Sequence, residues 1–293
     1  MNLMLVLAGT YPDKNPKIVE GSAELTEGTL KVGDELIGIS SGTSSMAAAC
    51  TSASRALGIE PPYCVLAGDI GTGEGSRRLY SYLKEKVFGL SPDIITLHYM
   101  TPLIDCVVDF GFAVEESGMN PLLVADAGAM YGAKIAGIGH IFDLFTPDKG
   151  ELAFLADEDA AHPMFVNENL YDFPDERIPE LAGKVSRSGT SPDTLLVKGN
   201  IDYIVRGGKV INKVHEPAIP AMEAVGGTGD TLTGTVSALM HSGRRVDEAC
   251  FLAAGINRMA GQLCDIKPDT KITALIDKIP GALNSNSLFC YTI

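Results

Sequence analysis

The sequence predicts an α/β fold in which a largely parallel sheet is covered by helices and carries a β-hairpin excursion. Two observations lead there. Apolar runs of strand length alternate along the chain with longer stretches of helical period, the pattern of strands that reach their parallel neighbours through crossover helices. A 293-residue chain with 45% hydrophobic and 20% charged residues is also long and apolar enough to bury a large core. No internal repeat or low-complexity tract interrupts it, so residues 1–293 read as one domain.

In chain order, residues 3–8 form a plausible first strand. Residues 17–40 break into short β-type runs punctuated by Gly21, Gly28, Gly33 and Gly38, read as an irregular β region of one or two hairpins. Residues 44–57 follow as an alanine-rich helix whose small side chains suit tight packing on the sheet. Residues 64–67, 94–98, 121–125, 141–145 and 194–198 read as strands, and 76–86 and 103–117 as helices. Residues 157–191 carry three prolines (Pro163, Pro174, Pro179) and weak periodicity, and are expected to be a loop excursion. Residues 201–205 and 209–213 flank Gly207-Gly208 as a hairpin. Two long helices start near Gly229 and at Val246, and a last helix is expected over 272–279.

Composition excludes several functions. With 37 acidic and 23 basic side chains the net charge is −14, whereas a nucleic-acid polymer needs a basic face to meet its phosphates. Six scattered cysteines, with no close pair, argue against a structural zinc and read as buried, reduced thiols of a cytoplasmic protein. The apolar N-terminus is short and lacks a basic flank, so it is not read as a signal peptide, and no run approaches membrane-spanning length.

Chemistry concentrates at Gly226-Gly227-Thr228-Gly229-Asp230. Glycines let the backbone turn sharply and aim successive N–H groups at a ligand. An apolar helix begins at once, and a helix N-terminus favours an anion such as phosphate. A carboxylate there is electrostatically costly unless it acts, for example by taking the proton of a hydroxyl that attacks a phosphoryl group. The plain alternative makes Asp230 a helix cap and the glycines a tight turn. Gly71, Gly73 and Gly75 follow another strand, but their spacing is not that of a dinucleotide fingerprint.

The stretch from Gly226 to Gly234 resembles the anion-hole signature of the ribokinase-like superfamily, and within it is most similar to the ATP- or ADP-dependent NAD(P)H-hydrate dehydratases. Other segments arrive in that family's order: Asp126-Ala127-Gly128-Ala129-Met130, at the end of a core strand, resembles Asp-Ala-Asp-Ala-Leu, Thr146-Pro147-Asp148-Lys149-Gly150-Glu151 resembles Thr-Pro-His-Pro-Gly-Glu, and Val197-Lys198-Gly199 resembles Leu-Lys-Gly. Gly68–Gly75 is a looser likeness to Gly-Pro-Gly-Leu-Gly. The good match runs from about residue 121 to 263. The chain departs from the family at Asp148 (histidine there), Lys149 (proline) and Gly128 (aspartate), all on the side that faces substrate.

The resemblance implies a three-layer ribokinase-like fold, with Gly227, Thr228 and Gly229 cradling nucleotide phosphate and Asp230 as the base. Lys198 would add positive charge to the phosphates, against the reading of an ordinary strand-end lysine. Asp126, Asp148 and Lys149 would line the substrate cleft. Glu151 could hold Mg²⁺ through water, against the reading of a carboxylate favoured by a helix dipole. Asn257 and Arg258 could reach the adenine side, although a solvated face suits Arg258 better. His98 follows a strand and could face the cleft; His140, His162, His215 and His241 show no partner spacing, and none of the five is assigned a role.

Three functions follow: nucleotide-dependent repair of hydrated NAD(P)H by phosphorylation and elimination, a small-molecule hydroxyl kinase, or a nucleotide-binding protein without catalysis. ATP or ADP with Mg²⁺ would be the cofactors, and partners would be small molecules rather than nucleic acid or membrane. The family's companion epimerase would be a separate chain, and self-association is left open.

Overall fold

The structure, a computed structural model, describes residues 3–160 and 173–285. His162, Pro163, Cys290 and the middle of the 157–191 segment lie outside the described residues. Among those described, eleven strands build one sheet in the order β11-β10-β9-β8-β7-β6-β1-β5-β2-β3-β4. The six central strands are parallel: β9 (Thr194–Val197), β8 (Leu144–Phe145), β7 (Leu122–Asp126), β6 (Ile94–His98), β1 (Leu5–Tyr11) and β5 (Tyr63–Gly68). Antiparallel strands extend both ends. The hairpin β10 (Asp202–Arg206) and β11 (Lys209–Val214) continues one edge. The meander β2 (Ile18–Thr26), β3 (Thr29–Val32) and β4 (Glu35–Gly38) continues the other, which accounts for the glycine-broken runs of 17–40.

The central strands are apolar without alternation because both faces are covered. Leu5 and Leu7 of β1 turn to one face, Val6 and Ala8 to the other. The first face is packed by α1 (Thr43–Leu57), α7 (Thr228–His241), α8 (Val246–Leu263), α9 (Ile272–Ile276) and α10 (Ile279–Leu283). The second is packed by α2 (Glu74–Glu85), α3 (Ile104–Glu116), α4 (Ala127–Ile135), α5 (Lys149–Ala156) and α6 (Ile178–Ser188).

Several expectations need correction. The segment 157–191 is not all loop, because α6 occupies its last part. Ile178, Leu181, Ala182 and Val185 are buried at helical spacing, and Pro179 stands in the first turn, where its missing N–H costs nothing. The strand expected over 141–145 shrinks to Leu144–Phe145, because Gly139–Ile141 forms a 3₁₀ turn. The single helix expected over 272–279 is two short ones. Pro280 has no N–H to give the Ile276 carbonyl, so the chain cannot continue as one helix. The described cysteines are free thiols, but Cys106 and Cys264 are only partly buried. No described helix is long and apolar enough to cross a membrane.

The alanine-rich α1 lies directly against α7. A Cβ added at Gly234 of α7 would stand 2.1 Å from the Met46 carbonyl oxygen of α1, so the helices meet backbone to backbone. Ordinarily Gly→Ala inside a helix stabilises by about 1 kcal/mol. Here overpacking reverses the sign, and Gly234→Ala is expected to lower stability by about 3 kcal/mol in urea unfolding. An unchanged or raised midpoint would show that the two backbones are not held this close.

Candidate functional site

Residues at the carboxyl ends of the parallel strands converge where the strand order reverses, between β1 and β6. Open α/β sheets form their ligand crevice at such a switch point. The first turn of α7 stands over it. Gly227 precedes the helix with φ +103, and no side chain caps the N-terminus. The Thr228 hydroxyl turns back to the carbonyls of Met222 (3.0 Å) and Val225 (3.2 Å) and braces the turn. Asn257 of α8 clamps the same turn, donating to the Thr228 carbonyl at 2.9 Å and accepting from the Thr231 hydroxyl at 2.8 Å. The N–H groups of this turn are thereby held in place, and among the described residues no side chain accepts from them, with only a long 3.5 Å contact from the Thr228 N–H to the Val225 carbonyl, the arrangement that takes an anion.

Asp230 does not cap its own helix. Its carboxylate reaches back to the start of α1, accepting from the Gly42 N–H at 2.5 Å and the Ser45 hydroxyl at 3.2 Å. The other oxygen lies 3.2 Å from His98 Nε2. Burial pushes the Asp230 carboxyl up, but the hydrogen bond and charge of His98 outweigh it and hold the group below its usual value. Its side chain is 13% exposed, enough for contact with a ligand.

Asp126 ends β7 and caps α4, accepting from the Ala127 N–H at 2.9 Å. Lys198, just after β9, binds both of its oxygens at 2.8 and 2.9 Å, and the Thr233 hydroxyl adds a bond of 2.7 Å. Burial works against the Asp126 charge, yet Lys198 and then His98 hold the carboxyl far below the carboxylate range. Lys198 is reciprocally pushed up, mainly by Asp126 and then Glu151. Its ammonium also lies against α7, 3.6 Å from where a Gly229 side chain would begin.

His98, which the sequence reading turned toward the cleft without assigning it a role, stands at the centre of the site. It is fully buried, with Nε2 between Asp230 and Asp126 (3.6 Å) and Nδ1 3.0 Å from the Thr43 hydroxyl. A lone histidine at a strand end carries little signal in sequence, because its partners come from three separate segments. Tyr99, next to it, is 53% exposed and holds a left-handed backbone of φ +50. Its ring lies 4.7 Å from the His98 ring, at the mouth of the site.

Gly227, Thr228, Gly229, Asp230, Asp126 and Lys198 are therefore brought together. Asp148, Lys149 and Glu151 stand at the N-terminus of α5 and have local work. Asp148 and Glu151 form a reciprocal capping box, each bonded at 2.7 Å to the other's N–H. Glu151 also accepts from the Tyr131 hydroxyl. Burial raises the Glu151 carboxyl to about 7. Lys149 reaches Asp175 at 2.6 Å and lies over the Phe173 ring. Arg258 is not on a solvated face: it is buried on Asp202 at 2.8 Å and on the carbonyls of Gly199 and Asn200.

Two further motif positions are explained. The turn before α2 is filled by its own Asp69, which accepts from the N–H groups of Gly71, Thr72, Gly73 and Ser76 at 2.9–3.1 Å. An internal carboxylate thus occupies the place a phosphate would take. Gly128, where the resembled pattern has aspartate, passes the Met100 carbonyl so closely that a Cβ would stand 2.2 Å from its oxygen.

Removing Lys198 would leave Asp126 buried with one fewer cation. Lys198→Met is expected to cost about 3 kcal/mol or more, and Asp126→Asn added to it should return part of the loss. Urea unfolding of parent, single and double variants measures this. Parental stability in Lys198→Met would show that the pair is solvated.

The sequence model of a family described as NAD(P)H-hydrate dehydratase matches residues 112–280. An uncharacterised protein of Methanocaldococcus jannaschii is 42% identical over 221 residues, covering 75% of this chain and 90% of that protein. The ADP-dependent (S)-NAD(P)H-hydrate dehydratase of Nitrosopumilus maritimus is 37% identical over 105 residues, 36% of this chain and 34% of the enzyme, so the match spans about a third of that relative. Among solved structures, the ADP/ATP-dependent NAD(P)H-hydrate dehydratase of Bacillus subtilis superposes with a TM-score of 0.57 at 15% identity, covering 96% of this chain and 92% of that one, a likeness of fold. With more than half of its length matched, and with the ribokinase-like architecture in place, the chain belongs to the NAD(P)H-hydrate dehydratase family.

Proposed function

We propose that the chain repairs hydrated NAD(P)H: ATP or ADP phosphorylates the hydroxyl of the hydrated ring, and elimination of phosphate restores the dihydronicotinamide. The observation that carries this reading is the placement of Asp230, a charged carboxylate whose side chain keeps 13% exposure beside a helix N-terminus that no side chain caps among the described residues. A structural cap would be spent on its own helix; this one is positioned by a different helix and by a histidine.

In this reading the N–H groups of Gly227, Thr228 and Gly229 hold the phosphoryl group to be transferred, with Lys198 offsetting its charge nearby. Asp230 takes the proton of the substrate hydroxyl as its oxygen bonds to phosphorus, while the bond to the leaving nucleotide oxygen breaks. The carbon–oxygen bond of the phosphorylated ring then breaks, phosphate departs with that electron pair, and the neighbouring carbon gives up a proton to water as its C–H pair forms the ring double bond. Lys198 and the α7 N–H groups favour the departing anion in that step. Asp126 serves as the fixed partner that keeps Lys198 in place, and Tyr99 stands at the mouth where a ring would enter.

Magnesium fits as an ion carried by the nucleotide. It prefers oxygen donors and keeps several waters, and each Glu151 oxygen accepts one hydrogen bond and keeps a lone pair for such a water. When bound, the ion supplies charge neutralisation on the phosphates.

Asp230→Asn is expected to fold, to bind nucleotide at least as well as the parent, and to lose about 10²-fold or more in turnover. Recovery of dihydronicotinamide absorbance from hydrated NADH, with ATP or ADP, is the assay. Full activity in the variant would reduce Asp230 to a structural residue, and release of ADP on a simple alcohol without any hydrate repair would make the enzyme a kinase. Thr228→Glu places a carboxylate in the anion position and should abolish nucleotide binding in calorimetry. Unchanged affinity would put the nucleotide elsewhere.

A further inference from the structure

A phosphate site that contains its own carboxylates poses an electrostatic problem, and the geometry around His98 answers it. Asp126 and Asp230 bring two negative charges under the N-terminus of α7. Lys198 matches one of them through its bonds to Asp126. Asp230 touches no lysine or arginine among the described residues; its charged neighbour is His98, at 3.2 Å. The imidazole is fully buried, so no water replaces it, and its Nε2 faces the carboxylates while Nδ1 faces the Thr43 hydroxyl.

We infer that His98, as imidazolium, is the counter-charge of Asp230 that lets the α7 anion site accept a nucleotide polyphosphate beside its own base. With His98 charged, the two carboxylates are balanced by two cations and the phosphates meet a neutral floor. With His98 neutral, one negative charge is left uncompensated within a few ångströms of the anion position, where screening is poor. His98 acts through Asp230 and touches no substrate, so it is a positioning residue. The inference rests on the phosphate-site reading of α7.

The groups facing the imidazole are Thr43 from α1, Asp126 from β7 and Asp230 from α7, with Tyr99 beside it on its own segment and Lys198 across Asp126. Burial works against the charged ring, but the hydrogen bonds and charges of Asp126 and Asp230 push its pKa up to about 9. Lys198 and Tyr99 are themselves pushed up from values already above that, and Glu151 titrates near 7. Among the groups at the site, the imidazole is the one pushed to about 9, and His98→Gln, which lacks it, identifies its transition.

The sign is fixed: below the transition the floor is neutral, above it the floor is negative and nucleotide is repelled. Calorimetry of Mg-ADP and Mg-ATP on the full chain, from about pH 7.5 to 10, should show parental affinity falling by about 10-fold or more through that range. His98→Gln should bind about 10-fold more weakly than the parent already at neutral pH, and its affinity should not fall further. Adding Asp230→Asn to His98→Gln removes the uncompensated charge and should restore nucleotide binding, which a merely structural role for the ring does not predict. If His98→Gln does not fold, the parent and Asp230→Asn still decide: near pH 10 the variant must bind about 10-fold more tightly than the parent. Parental affinity in His98→Gln, or a double variant no better than it, would overturn the inference while loss of binding in Thr228→Glu upheld the site. Unchanged binding in Thr228→Glu would overturn both.

Discussion

Two carboxylates buried at the floor of an anion site can keep their charge only if cations are built in with them. Asp126 with Lys198, and Asp230 with His98, meet that constraint here, and the constraint ties the architecture together. Asp126 ends β7, His98 ends β6, Lys198 follows β9, and Asp230 belongs to α7. The remaining lone pairs are matched by the Thr233 hydroxyl, the Ala127 and Gly42 N–H groups and the Ser45 hydroxyl. Such a network holds its geometry because loosening any one member strands another in low dielectric.

The rest of the fold serves to bring α7 and α1 into register over the strand ends. Their N-termini must approach closely for a side chain of one to reach the N–H of the other, and bulky residues would hold them apart. Gly234 of α7 against the Met46 carbonyl, with Ala47, Ala48 and Ala49 buried alongside, provides the approach. The helix N-terminus that receives Asp230 also favours its charge, so α1 contributes a field as well as a donor. Asn257 then fixes the first turn of α7 from behind, so that its N–H groups are oriented before any ligand arrives.

Much of this was legible in the sequence because it is written locally. The parallel core strands, the glycine turn before α7, the long helices and the order of motifs along the chain all follow from period, turn chemistry and resemblance. What was missed is tertiary or contextual. α6 was hidden by prolines that proved to lie at or before its first turn, where they start a helix rather than break one. Pro280 did break one. His98 carried no assigned role because its three partners, Thr43, Asp126 and Asp230, lie on segments far apart in sequence and meet only at the ends of the sheet strands. Arg258 looked solvated because nothing near it in sequence announces Asp202, which reaches it from the hairpin.

The same distinction bears on the three positions where the chain leaves the family pattern. Taken from sequence, Gly128, Asp148 and Lys149 alter the substrate side and cast doubt on the substrate. Each has a local cause in the structure. Gly128 is required by the Met100 carbonyl, which leaves no room for any Cβ. Asp148 provides the N-cap of α5 in a closed capping box, which a histidine would not close. Lys149 turns away to Asp175 and Phe173. A departure explained by packing carries no information about which ring enters the site, so these three do not count against a hydrated nicotinamide. Tyr99 is the residue whose state packing does not explain. An aromatic ring half exposed on a left-handed backbone is held at a cost of about 1–3 kcal/mol, and it stands beside the histidine that touches the candidate base.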